Sequence, residues 1–429
     1  MGKSDHLIKD SLILFIATSI VNLSNFVYHM YASRKLGPEN YGVLVTMLAM
    51  FIIVSMPAAS LQMTVAKKAS EFKAKENWGG IKTLFITTNI WFFVLGAAAF
   101  AICYFASNVI KDFFQIKDRI MVVIVGGITI FSMIIPSVRG LLQGMQKFIS
   151  FGANMVIDAV LRLLALVVMI ALGWSARGAI AAGLFSVGSA YIIGFIYLSF
   201  IFKYKNDGNT ISKMDFFNYT LPVFITMAGF SLLSYMDVFA VKHFYQPYEA
   251  GLYSATSIVG KAFLFFPSAI AMALFPKVSA HFALKSDTKK LFYESLLLTA
   301  GITLAGVAFC FFFPGFIIKL LFGNQYINIE YIVRIFGIAI FPLVLFNVIL
   351  NYCLAIHKYS FIYIMYAGII LYGLLLWFLH KSFYQVILNL FISTLLIVVF
   401  SIIDINRDKK VQAATIEEEL LENKIVKYQ

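Results

Sequence analysis

Long apolar runs, each about the length that crosses a bilayer, alternate with short polar punctuation through nearly the whole chain. The runs lie near 11–33, 41–65, 83–107, 120–142, 152–173, 178–202, 217–241, 250–274, 291–314, 330–352, 360–379 and 384–403. A hydrocarbon core needs about 20 apolar residues per helical span, so the pattern predicts an all-α integral membrane protein with about twelve transmembrane helices. The first run is too long for the core of a signal peptide and no small-x-small cleavage site follows it, so it is read as a retained span. A soluble reading is excluded by composition: of 429 residues, 61% are hydrophobic and only 13% charged, more apolar surface than a water-soluble chain can bury.

The punctuation repeats. RKLGPENYG at 34–42 and FYQPYEAGLY at 244–253 each sit between two runs, and one offset of 209 to 210 residues relates Pro38 to Pro247, Gly42 to Gly251, Pro57 to Pro267, Lys67 to Lys277 and Phe72 to Phe282. Five matches in register predict an internal duplication. Each half then holds six spans, an even number, so the halves are parallel repeats related by a pseudo-two-fold axis along the membrane normal. The expected organisation is an N-terminal six-helix lobe over 1–205, a C-terminal six-helix lobe over 206–405 and a polar tail over 406–429. Pro57 and Pro267 are expected to bend the second and eighth spans, because proline removes a backbone hydrogen bond and crowds the preceding turn. Two such lobes predict a central cavity and alternating access.

Charge sets the orientation. With the N-terminus inside, 21 Lys and Arg fall on cytoplasmic segments and nine on outer ones, which places both termini in the cytoplasm. This bias accounts for most of the net charge of +13 and suits an anionic leaflet without calling for nucleic acid. Cys103, Cys310 and Cys353 all fall in predicted spans at unrelated spacing, neither a disulfide framework nor a metal site; no metal or other cofactor is expected.

Ionisable groups inside the spans are the candidate chemistry, since each costs about 2.5 to 3.5 kcal/mol at mid-bilayer on insertion scales. Asn154, Asp158 and Arg162 share one helix face at i, i+4, i+8. They read either as a cavity-lining group coupled to protonation or as an Asp158–Arg162 salt bridge pinning the fifth span. Asp237 in the seventh span has no basic residue one turn away and is the candidate proton or cation site, with Ser231, Ser234 and Tyr235 near it; the bland reading is a structural carboxylate partnered from another helix. Lys261 in the eighth span has no acidic neighbour at i±3 or i±4. It is either a cavity cation awaiting an anionic substrate or the partner of Asp237. Thr18, Asn22, Asn25 and His29 form a polar stripe on the first span that lines the cavity or glues helices, with Arg34 and Lys35 at its outer mouth. Arg139 and Arg334 sit near span ends, where arginine commonly snorkels to the interface. Were all six in-span ionisable groups to face inward, the cavity would carry +2, which favours an anionic substrate.

The runs RKLGPENYG, MDVFAVKHFYQPYEAGLYSATSIVGKAF and ALFPKVSAHF resemble the polysaccharide-export branch of the multidrug/oligosaccharidyl-lipid/polysaccharide (MOP) superfamily, the Wzx-type flippases, and the resemblance extends over essentially the whole chain in span number and spacing. It implies two six-helix bundles around a cavity and translocation of a polyprenyl-diphosphate-linked oligosaccharide from the cytoplasmic to the outer leaflet. The segment GKAFLFFPSAIAMALFPKVS is similar to a helix of the lipid II flippases in which an Arg helps hold the diphosphate. Here Lys261 stands at that place, so the charge is kept and the bidentate fork is not. Arg34 occupies the usual position in the first motif.

Together these readings make the chain a transporter, not an enzyme, with substrate-binding candidates Lys261, Arg34, Arg139, Arg162 and Asn25 and ion- or proton-coupling candidates Asp237 and Asp158. The expected partners are the lipid-linked glycan, the bilayer and H+ or Na+, and the expected state is a monomer in the plasma membrane of a bacterium or archaeon. A multidrug-extrusion-type cation antiporter is the first alternative, disfavoured by the positive in-span count. A membrane-embedded glycosyltransferase, polymerase or ligase is the second, disfavoured because no external loop exceeds roughly a dozen residues to carry an acid, base or metal. VGKA at 259–262 lacks the spacing and the hydroxyl of a phosphate loop, so ATP is not the expected energy source.

Overall fold

The computed structural model describes residues 3–205, 213–264, 278, 288–356 and 358–407. Every regular element among them is helical, as the bilayer requires of a chain that must satisfy each backbone group internally. In chain order the helices are α1 (Lys3–Val54), α2 (Met56–Ala74), α3 (Trp78–Phe105), α4 (Ser107–Phe113), α5 (Ile120–Gly144), α6 (Phe148–Ala171), α7 (Ser175–Leu198), α8 (Lys213–Phe244), α9 (Pro247–Lys261), α10 (Lys289–Phe312), α11 (Pro314–Leu321), α12 (Glu330–Ala339), α13 (Phe341–Ala355), α14 (Ser360–Phe378) and α15 (Phe383–Asn406).

Ten stretches among the described residues are long and apolar enough to span, against about twelve expected. The difference has two sources. The first two runs continue as one helical stretch, α1, broken only at Gly37, whose φ of 71° belongs to the left-handed region that glycine enters without a Cβ penalty. Pro38 then opens the next segment. RKLGPENYG is therefore a sharp kink in a continuous helix and not a surface loop, and His29 and Tyr41 share a 3.1 Å hydrogen bond across it. The eighth run continues from α9 into residues outside those described; Pro267, Lys277 and Phe282, which carried part of the repeat, lie there too, as does the tail beyond 407. Pro57 acts as expected: the helix stops at Val54, turns at Ser55 and restarts as α2 with the proline in its first turn. Pro342 does the same between α12 and α13.

The repeat runs deeper than its prolines and glycines. Each long third span, α3 and α10, is followed by a short helix, α4 and α11. Lys111 of the first and Phe114 just after it recur as Lys319 of the second and Phe322 just after it, at an offset of 208, a signal the motif spacing at the first turn did not reveal.

The chain divides into two compact units, 1–228 together with Pro247–Gly251, and 229–246 together with 252–429. In the first, α5 packs on α2, α3 and α7, and α6 on α1 and α7, around a core that includes Leu61, Val65, Leu84, Phe92, Val138 and Leu141. Small residues set the α2–α5 approach: a Cβ on Gly140 would lie 2.8 Å from the Gln62 carbonyl oxygen, and one on Gly144 would overlap the Ala66 carbonyl, the close backbone packing that membrane helices use in place of a hydrophobic drive. The second copy of the repeated turn also belongs to this unit. A Cβ on Gly42 would sit 2.8 Å from the Gly251 Cα, so the duplicated glycines pack directly on each other. In the second unit α15 packs on α12, α13 and α14, and α10 on α12 and α13. Large side chains such as Phe105, Phe312 and Tyr363 are exposed, the surface expected of helices facing lipid.

Candidate functional site

Among the described residues, two ion-paired clusters stand out inside the spans, one in each unit. In the second unit, α9 presents Tyr253, Ser257 and Lys261 on one face, four residues apart, toward α8. All three converge on Asp237. The Lys261 ammonium donates to Oδ1 at 3.2 Å, and the Tyr253 and Ser257 hydroxyls donate to Oδ2 at 3.2 Å each. The Asp237 side chain is fully buried, and that of Lys261 nearly so at 9% exposed. The Tyr235 ring lies 4.5 Å from the ammonium, a cation–π contact that strengthens where water is excluded. Tyr372 on α14 is close enough to feel the Asp237 charge, and its buried hydroxyl has no hydrogen-bond partner among the described residues.

Of the two readings of Lys261 in the sequence, the geometry realises its pairing with Asp237. The donors also come from a different helix than expected: Ser234 bonds back to the Phe230 carbonyl of its own helix at 2.8 Å, while Tyr253 and Ser257, not singled out in the sequence, hold the carboxylate. Their four-residue spacing ahead of Lys261 was the available signal. The result is a buried carboxylate with one ion pair and two hydroxyl donors. Such a group can be released only if another charge or a proton replaces what Lys261 supplies.

In the first unit, α6 presents Asn154 and Asp158 to α5. Arg139 spans both, donating from Nε to the Asn154 oxygen at 2.8 Å and from its terminal nitrogen to Asp158 Oδ2 at 2.9 Å. Asn154 in turn donates to the Ala190 carbonyl of α7 at 2.7 Å, so one guanidinium ties three helices. Two expectations are thereby corrected. Asp158 does not pair with Arg162 one turn along its own helix, and Arg139 does not snorkel, because the planar fork reaches two acceptors one turn apart on a neighbouring helix. The second Asp158 oxygen is buried without a hydrogen-bond donor among the described residues. Arg139→Lys is expected to lose one of the two bonds and leave a buried acceptor unsatisfied, costing about 1 to 3 kcal/mol, measurable as a lower melting temperature of the detergent-solubilised protein.

Arg162, half-buried, lies instead near Tyr28 and His29 of α1, and no carboxylate pairs with it among the described residues. Tyr28 donates to the Ala179 carbonyl at 3.0 Å. Asn25 is half-buried on the same helix, and Arg34 and Lys35 are exposed at the kink. Arg334 is exposed and 5.8 Å from the Phe311 ring. The two ion pairs cancel four of the six in-span charges, so the +2 excess rests on Arg162 and Arg334 alone. No group of three or more His, Cys, Asp or Glu among the described residues could hold a metal ion.

A family model described as "Polysaccharide biosynthesis protein" matches residues 7–282, more than half of the chain and including both copies of the repeated turn, Asp237 and Lys261. The chain belongs to this family. A curated relative, an uncharacterised membrane protein of Methanocaldococcus jannaschii, is 22% identical over 332 residues, covering 72% of this chain and 75% of that one. Among solved structures, an inward-facing conformation of a multidrug resistance MATE family transporter of the MOP superfamily matches with a TM-score of 0.76 at 13% identity, over 94% of this chain and 98% of that one. The outward-facing conformation matches with a TM-score of 0.68 at 13% identity, over 95% and 96%. The eukaryotic MATE transporter AtDTX14 matches with a TM-score of 0.65 at 12% identity, over 95% and 99%. The chain thus shares the fold of these MATE transporters.

Proposed function

We propose that the chain is a flippase that moves a polyprenyl-diphosphate-linked oligosaccharide from the cytoplasmic to the outer leaflet by alternating access, with cation or proton coupling at Asp237. The buried Asp237–Lys261 pair carries this reading, set inside a family whose description is polysaccharide biosynthesis. An ammonium held by one carboxylate can be handed to another anion. When a diphosphate draws Lys261 away, Asp237 keeps the Tyr253 and Ser257 hydroxyls but loses its countercharge. A buried carboxylate in that state takes up a proton or a monovalent cation. Substrate and cation then enter together, and the neutral pair reforms when both leave. Arg34 at the kink and the half-buried Arg162 and Asn25 are the donors that the first unit offers to an anionic headgroup, and the Arg139–Asp158 pair holds α5 and α6 of that unit together.

The likeness to multidrug transporters and the internal cancellation of the in-span charges favour a second reading, a small-cation antiporter with Asp237 as its site. Reconstitution separates the two. The protein in liposomes is expected to change the leaflet exposure of a fluorescent polyprenyl-diphosphate glycan, with the rate responding to an imposed H+ or Na+ gradient, and to leave a lipophilic cationic dye where it is. Dye export without glycan movement would replace the first reading with the second.

A further inference from the structure

Outside both polar clusters, α14 and α15 leave between them a groove of about 390 Å³ in the second unit. Its walls are apolar, Ala367 and Leu371 from one helix and Leu396 and Phe400 from the other, and Asp404 and Arg407 close one end. The helices approach closely because Gly368 lies against the Ile397 side chain, where a Cβ would overlap it. At 1.5 Å per residue, the wall from Leu396 to Arg407 is about 16 Å long, close to half of a bilayer core of about 30 Å. The groove is therefore one leaflet deep, with its charged end at headgroup depth.

The charges at that end are not equivalent. Asp404 is engaged: it pairs with Lys358 at 3.3 Å and accepts from the Ser360 hydroxyl at 2.6 Å. Arg407 is exposed, and no carboxylate pairs with it among the described residues. A one-chain-deep apolar slot ending in a cation that no carboxylate pairs with among the described residues is complementary to a phospholipid with an anionic headgroup, its acyl chain between the helices and its phosphate on Arg407. We infer that this groove is a binding site for one anionic phospholipid of the leaflet facing the C-terminal end of α15. It is distinct from the Asp237–Lys261 centre, and its occupant is a resident lipid, not the transported one. The inference rests on the bilayer orientation of α15 and not on the flippase reading.

Native mass spectrometry of the full-length protein with added phosphatidylglycerol or phosphatidylcholine tests it. The wild type is expected to keep one phosphatidylglycerol per chain in preference to phosphatidylcholine. Arg407→Gln, an exposed substitution that leaves the helices intact, should reduce that preference about fivefold, the contribution of one basic residue at an anionic surface. Ala367→Phe should fill the slot and remove the bound lipid of either class from a protein that stays monodisperse. Unchanged lipid counts and preference in both variants would overturn the site. Displacement of phosphatidylglycerol by an equimolar polyprenyl phosphate would overturn the assignment of its occupant.

Discussion

Asp237→Asn is expected to cost the fold about 3 to 5 kcal/mol, because it strands the Lys261 ammonium in a site from which water is excluded. Lys261→Ala strands the carboxylate instead and removes the cation–π contact with Tyr235, with a stability loss of the same order softened by the two hydroxyls that stay on Asp237. The informative variant is the double one. Buried ion pairs replaced by apolar groups of similar volume commonly leave stability unchanged or raise it, so Asp237→Leu with Lys261→Met is expected to regain most of the lost stability. Transport should not follow it. The neutral pair then lacks both the ammonium that attracts a diphosphate and the carboxylate that accepts a cation, and leaflet exchange of the labelled glycan should fall to the protein-free rate. Melting temperature in detergent and flipping in liposomes measure the two quantities separately. A stable double variant that flips as the wild type does would make the pair a structural clamp and remove the proposed coupling.

The second large effect is expected at the duplicated turn. Gly251→Ala places a Cβ onto the carbonyl of Pro38, and the clash is with backbone on both sides, so no side-chain rotation relieves it. Overpacking of this kind typically costs about 1 to 3 kcal/mol and more where the backbone cannot move. The Gly251 variant should therefore show a melting temperature several degrees lower and a reduced folded yield, and Gly42→Ala should follow it, since its Cβ would come within 2.9 Å of the Gly251 nitrogen. Gly301 on α10 is the control: nothing lies within 4 Å of its added Cβ, and alanine there should be neutral or stabilising by up to about 1 kcal/mol through helix propensity. Equal behaviour of Gly251→Ala and Gly301→Ala would mean that the two copies of the turn do not pack as described.

These two predictions also mark where the sequence was and was not legible. The membrane class, the helical spans and the duplication were readable because length, hydropathy and repeated Pro and Gly positions are properties of the chain itself, and lipid leaves helix as the response to a long apolar run. Asp237 and Lys261 stood out for the same reason: a charge in such a run is costly wherever the helix goes. Their partners did not. Asp158 had an arginine one turn away on its own helix and took Arg139 from another, because a guanidinium fork on a neighbouring helix could satisfy Asn154 as well.

What the sequence by itself determined is therefore which residues had to be resolved by packing; what the tertiary structure decided is how. A summed in-span charge of +2 became two neutral pairs plus Arg162 and Arg334, and Tyr253 and Ser257 became ligands of a carboxylate carried by the preceding helix. Hydropathy is a sum over neighbours in sequence, whereas an ion pair depends on distances of about 3 Å between helices whose rotation and depth are set only when their side chains interlock.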